Sequence, residues 1–167
     1  MSKFKKIELN EQCEKTAADV IEKLKSKTLK LALSESCTAG LVSGVLADTS
    51  GASEVLWGSF VCYTQEAKVS MLGLDNDTLS ANGLVNRETA CSMAEGAIKK
   101  SGADISAAVT GLAGPGADGR VPVGTIWIAT AGRNMDTEAK EYVFTGSRNT
   151  VRLNAVKAVL EEILRRL

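Results

Sequence analysis

The chain has 167 residues, 44% of them hydrophobic and 24% charged, which is enough to bury one core and form a single globular domain over residues 1–167. Lysine plus arginine and aspartate plus glutamate each number 20, so no overall field draws the chain to nucleic acid or an anionic membrane. Histidine is absent: Ser-His-Asp and Cys-His sites are excluded within the chain, and a general base must be Lys, Asp, Glu, Tyr or water.

Leu9, Cys13, Ala17, Val20, Ile21 and Leu24 recur at three- and four-residue steps, which predicts an amphipathic first helix. The opening "MSKFKKIELNEQ" is charged with no apolar run behind it, and no segment approaches the roughly 18 apolar residues that span a bilayer. A cytoplasmic location is expected. Cys13, Cys37, Cys62 and Cys91 lack C-x-x-C spacing and read as small core residues of a reducing compartment.

"TLKLALS" predicts a short strand and "CTAGLVSGVLAD" a helix, with Ser36 at their junction. "EVLWGSFVCYT" predicts a second strand and "QEAKVSMLG" a short helix ended by Gly73, with Tyr63 and Lys68 flanking that junction. "DNDTLSANG" and "NRETACSMAEGAIKKSG" predict two more helices, the second stopping at Gly102, and "ADISAAVTG" a strand. After the loop "GLAGPGADGRVPVG" come two strands, "TIWIATA" and "AKEYVFT", joined by "GRNMDTE" as an antiparallel pair. A last helix from about Ser147 carries Val156, Leu160, Ile163 or Leu164, and Leu167 on one side. Interleaved helices and strands with a late strand pair predict an α/β fold, a three-layer αβα sandwich with a mixed β-sheet. Three polar or glycine-rich junctions, "SESCTAG", "CYTQEAK" and "TGLAGPG", are expected to converge beyond the carboxyl ends of parallel strands.

Each candidate group has two readings from the residues alone. Gly114 to Gly119 spells G-x-G-x-x-G, but a strand-like run follows where a dinucleotide fingerprint needs a helix. The "TGLAGPG" segment is either an anion-binding loop or a connection. Ser36 is either a helix cap or a nucleophile beside helical N–H groups. Lys68 is either a solvated surface lysine or a base facing the same cleft as Tyr63, with its pKa lowered by burial. Cys37 is a buried thiol or a thiolate nucleophile. Arg148 and Arg152, one turn apart, form a surface pair or jointly meet a phosphate or carboxylate.

The strings "SESCTAGLVS", "GASEVLWGSFVCYTQEAKVSMLG", "ADISAAVTGLAGPG", "VPVGTIWIA" and "GSRNTVR" together resemble, in order and spacing, the C-terminal domain of the competence/damage-inducible CinA family, from about Leu9 to the end of the chain. Stand-alone members of that family are nicotinamide-nucleotide amidohydrolases. The resemblance implies an αβα sandwich and a homo-oligomer built on a dimer. It implies hydrolysis of the carboxamide of nicotinamide mononucleotide, without metal or cofactor, giving nicotinic acid mononucleotide and ammonia in pyridine nucleotide recycling. It casts Ser36 as nucleophile and Lys68 as its base, with Tyr63 assisting. Thr110, Gly111, Ala113 and Gly114 would hold the carboxamide or its oxyanion, and Arg148 the phosphate. Direct contact with nucleic acid or membrane is not implied. The alternative is a non-catalytic pyridine-nucleotide-binding module associated with competence or DNA damage; a thiol enzyme using Cys37 is a third reading. Ser34 stands where the family commonly has alanine, and Ala39 where it often has glycine; both read as small-for-small exchanges. Ser34 thereby adds a rival hydroxyl, and Glu35 either faces the site or supports it.

Overall fold

A computed structural model of the chain describes residues 11–116 and 119–167. Leu9, and Ala117 and Asp118 of the glycine-rich string, lie outside them. Helix α1 (Glu11–Ser26) buries Cys13, Ala17, Val20, Ile21 and Leu24, the stripe its spacing predicts. There follow β1 (Leu31–Glu35), α2 (Leu41–Ala47), the single turn α3 (Ala52–Val55), β2 (Leu56–Val61), α4 (Gln65–Leu72), α5 (Asn76–Asn82) and α6 (Arg87–Ser101). The chain then forms β3 (Ile105–Gly111), β4 (Thr125–Gly132), β5 (Met135–Val143) and α7 (Arg148–Arg166). Gly73 and Gly102 stop α4 and α6. Among the described residues no helix is long and apolar enough to cross a membrane.

The sheet runs β2-β1-β3-β4-β5. β1 lies parallel to β2 and β3, while β4 is antiparallel to both β3 and β5. The mixed sheet carries helices on both faces, an αβα sandwich. Glu35 at the end of β1 pairs with Val61 and with Val109, so the three parallel strands finish side by side. The β4 to β5 connection is shorter than the sequence suggests, because the ladder continues to Gly132 and Met135. Met135, Asp136 and Glu138, in the segment expected to connect the two strands, thus belong to the edge strand β5, whose first half carries no run of apolar residues to announce it.

The two faces of the sheet differ in side-chain size. Leu31, Leu33, Ile105, Val109, Ile126 and Ile128 pack beneath α1, α2 and α7, filling a thick layer. Ala32, Ala108, Ala129 and Ala131 face the other way, against Ala90, Met93, Ala94 and Ala97 of α6, so that helix can lie close to the sheet. Across this contact the Ser106 hydroxyl donates to the Ala94 carbonyl at 2.7 Å. α4 in turn leans on α6 at Gly96, where an added Cβ would come 2.8 Å from the Leu72 carbonyl oxygen. Only glycine permits that approach, and it presses α4, with Lys68, toward the sheet.

Candidate active site

Side chains alternate across a strand with period two, and at the end of β1 that alternation divides two tasks. Glu35 follows Leu33 toward the α2 face, whereas Ser36, one residue on, meets α4. The Ser36 hydroxyl lies 2.9 Å from Lys68 Nζ, and Lys68 also donates to the Cys62 carbonyl at 2.8 Å. Lys68 and Leu72, four residues apart, are the buried residues of α4, which places an ammonium where a core side chain normally sits. Lys68 is 0% exposed, which overturns the reading of it as a solvated surface lysine. Burial, which disfavours the charged form, pulls its pKa below the ordinary 10.5.

Ser36 is not the cap of α2. The helix starts at Leu41, with Gly40 at the N-cap position, so the predicted helix over "CTAGLVSGVLAD" gives way to a turn over residues 37–40. The capping acceptor is Glu35, 1% exposed. Its Oε2 accepts from the Thr38 hydroxyl and the Gly40 and Val42 amides, and its Oε1 from the Ser43 amide and the Ser43 and Ser59 hydroxyls, all at 2.8–3.1 Å. Glu35 therefore supports the site rather than facing it. From the other side Arg152 Nε and Nη2 donate to the carbonyls of Cys37 and Thr38 at 3.0 and 2.9 Å. The turn after Ser36 is held by a carboxylate within and a guanidinium without.

Above Ser36 opens a pocket of about 360 Å³ whose lining includes Ser36, Cys37, Tyr63, Gln65, Ser80, Thr110 to Ala113, Arg120 and Arg148. The three predicted junctions do converge there. Lys68 is not part of the lining; it lies beneath the pocket floor behind Ser36, so it and Tyr63 do not face one cleft as the sequence suggested. Tyr63 is half exposed at the rim, and its hydroxyl accepts from Arg148 Nη2 at 2.6 Å. Arg148 also donates to the Gly114 carbonyl, so Gly114 shapes the rim. Arg148 and Arg152 point to different partners rather than side by side: the first borders the pocket, the second braces the turn.

Thr110 spends its hydroxyl proton on the Leu84 carbonyl at 2.7 Å; it retains lone pairs to accept from an amide N–H but no proton for an oxyanion. Gly111 and Ala113 line the pocket with Leu112. Cys37 also lines it, yet burial pushes its thiol pKa up to about 12, the opposite of what a thiolate nucleophile needs. Ser34, the rival hydroxyl, is fully buried against Cys62 Sγ at 3.6 Å and does not line the pocket. Sequence reasoning missed Arg120, Gln65 and Ser80. Arg120 sat in plain view, in the loop whose glycine string was set aside. Among the described residues no group of three or more Cys, Asp or Glu is placed to hold a metal ion.

Comparison with known proteins bears on the family and the fold. The family model of the CinA C-terminal domain matches residues 13–167. A CinA-like protein of Thermotoga neapolitana is 39% identical over 155 residues, covering 92% of this chain and 38% of the relative. A CinA-like protein of Syntrophomonas wolfei is 40% identical over 139 residues, covering 83% and 33%. The chain thus spans about a third of the length of the curated relatives it matches. Among solved structures, the competence/damage inducible protein of Agrobacterium tumefaciens superposes with a TM-score of 0.91 at 36% identity, covering 99% of this chain and 98% of that one. A CinA superfamily protein of Escherichia coli gives 0.90 at 30% identity, covering 98% and 96%. A match over nearly the whole described chain, in sequence and in three dimensions, places it in a family: this chain belongs to the CinA C-terminal domain family.

Proposed function

We propose that the chain hydrolyses the carboxamide of nicotinamide mononucleotide, with Ser36 as nucleophile and Lys68 as its base. The observation that carries this reading is the 2.9 Å contact between the Ser36 hydroxyl and a lysine amine sealed from solvent at the floor of a pocket. A chain without histidine needs another base for a serine, and an amine kept dry can be neutral near physiological pH.

With Nζ neutral, the Ser36 O–H donates to its lone pair while an amine N–H remains on the Cys62 carbonyl. Ser36 Oγ bonds to the carboxamide carbon as its proton passes to Lys68. The tetrahedral intermediate collapses, the C–N bond breaks, and the Lys68 ammonium protonates the departing amine, which leaves as ammonia. Water then attacks the Ser36 ester, gives a proton to Lys68, and releases the carboxylic acid as Ser36 recovers its own. The oxyanion needs donors. The Ser36 amide is committed to the Val109 carbonyl and the Leu112 amide to the Thr125 carbonyl, so the amides of Cys37 and Ala113, both at the pocket, are the donors assigned here. Losing one would raise the barrier by ~3 kcal/mol. Thr110 accepts from the carboxamide N–H₂, and Tyr63 serves the rim with Arg148 rather than proton transfer.

The test is ammonia release from nicotinamide mononucleotide, measured with and without a chelator. Release that survives chelation and falls by about 10³-fold or more in Ser36→Ala supports the reading. A chain that is stabilised by the nucleotide yet releases no ammonia over long incubation would instead be a binding module.

A further inference from the structure

The carbonyl and amide of one peptide share a resonance system, so a bond accepted at the oxygen strengthens the bond its N–H donates. The Ser36 carbonyl and the Cys37 amide form one such unit, and that carbonyl accepts from the Ala39 amide at 3.1 Å. The Ala39 amide belongs in turn to the peptide of the Thr38 carbonyl, which accepts from Arg152 Nη2 at 2.9 Å and from the Leu41 amide at 3.3 Å. Two linked peptides thus join a guanidinium to the Cys37 amide. We infer that Arg152 is a positioning residue for the reaction, which aims and polarises the Cys37 amide through this relay. The inference rests on the reading above, in which that amide meets the oxyanion.

The two donors of Arg152 divide the work. Val151, Ala155 and Val156 are buried and fix α7 against the sheet, so the base of the Arg152 side chain is held. Its Nε bond to the Cys37 carbonyl at 3.0 Å sets the plane of the guanidinium, and Nη2 then meets the Thr38 carbonyl that feeds the relay. An ionised donor makes a bond roughly twice as strong as a neutral one, so the charge sets how far the two peptides are polarised. That charge is felt at Cys37: burial pushes its thiol up to about 12, against opposing influences that include Arg152.

Glu35 has a different task. Its carboxylate takes the amides of Gly40, Val42 and Ser43, none of which belongs to the two peptides of the relay. It anchors the far end of the turn, while Arg152 acts on the end that carries the oxyanion donor. Negative charge grows on the carboxamide oxygen only as the tetrahedral intermediate forms, so a polarised amide gains most in the transition state and its loss falls on kcat. A donor removed outright costs about 10²–10³ in kcat. A donor weakened by about a third, as two linked bonds at ~10–30% each give, costs about fivefold to tenfold.

The experiment replaces Arg152 by citrulline, whose neutral urea keeps N–H donors for both carbonyls and removes the charge. For ammonia release from nicotinamide mononucleotide, kcat should fall about fivefold to tenfold, with KM and the melting temperature held. In the amide NMR spectrum the Ala39 proton should move upfield most and the Cys37 proton less, while the Gly44 proton, in α2 outside the relay, stays in place. Arg152→Lys, which keeps the charge, should retain more of kcat than Arg152→Met. An unchanged kcat in the citrulline chain, or an unmoved Cys37 proton, overturns the inference and leaves Arg152 as a brace. Should the parent chain release no ammonia, the deamidation reading fails and the Cys37 proton alone decides: upfield movement in the citrulline chain supports the relay, and an unmoved proton overturns it.

Discussion

Ser36 Oγ and Lys68 Nζ stand 2.9 Å apart with the amine fully enclosed, and the protonation state of that amine decides what the contact can do. As an ammonium, Lys68 donates to the serine oxygen and holds it inert; as an amine, it accepts the serine proton. Burial moves the exchange between these states below the ordinary 10.5. We expect kcat/KM for ammonia release to rise with pH as Lys68 loses its proton, and to level off at a pH below 10.5. An inflection at or above 10.5 would show that the base is a solvated group and not this one.

The same burial predicts an activity–stability trade at Lys68. An unfolded chain binds a proton at this lysine throughout the interval between the lowered folded value and 10.5, while the folded chain does not. Stability therefore rises with pH across that interval, and falls as pH drops through the folded value of Lys68. Lys68→Met removes the charge and keeps the volume. Ammonia release should fall by about 10³-fold or more, while the melting temperature at pH 7 holds or rises and the pH dependence of stability flattens in that interval. A marked loss of stability at pH 7 would mean that the lysine is needed for the fold and not merely tolerated by it.

Lys68 also marks where sequence reading stops. The strands and long helices announce themselves through periodicity, as the stripe of α1 does, and the resemblance nominates Ser36 and Lys68. Yet a lysine at an inward helical position looks like any exposed lysine until it is known that α4 rests on α6 through Gly96 and that Leu72 shares its face. Glu35 was ambiguous for a related reason: alternation along β1 puts Glu35 and Ser36 on opposite faces, but which face holds α2 and which α4 is a matter of topology. Arg152 donates to carbonyls 114 or more residues away, and Arg120 lies against Gly83 of a different connection. No local pattern encodes such partners.

Ala39, a small-for-small exchange by sequence, sits on a backbone that favours glycine. It has φ 53, left-handed for a residue with a Cβ, and is followed by Gly40 at φ 90. A left-handed L-residue costs roughly 1–2 kcal/mol, partly offset because glycine loses about 0.4–1 kcal/mol more backbone entropy on folding. Ala39→Gly should therefore stabilise the chain by about 0.5–1 kcal/mol, or ~1–4 °C in melting temperature for a domain of this size. Calorimetry showing an unchanged or lower melting temperature would mean that the turn after Ser36 carries no such strain.

Glu35→Gln tests whether the carboxylate beside the nucleophile builds the site. Each oxygen of Glu35 serves three donors, and an amide nitrogen in either place accepts from none of them. Glutamine does least harm with its nitrogen at the Oε1 position, because the Ser43 and Ser59 hydroxyls can rotate and accept; the Ser43 amide cannot, and is left without its acceptor. Losing charge-assisted bonds and orphaning a buried donor should cost about 2–4 kcal/mol, read as a lower urea midpoint with the slope unchanged. Because α2 and the turn over residues 37–40 hang from this carboxylate, kcat for ammonia release should fall further than KM rises, with Ser36 displaced relative to Lys68. A variant with the parent's urea midpoint would remove Glu35 from its place as the anchor of the turn. One with a lowered midpoint but intact kcat would separate the stability of that turn from the alignment of the serine.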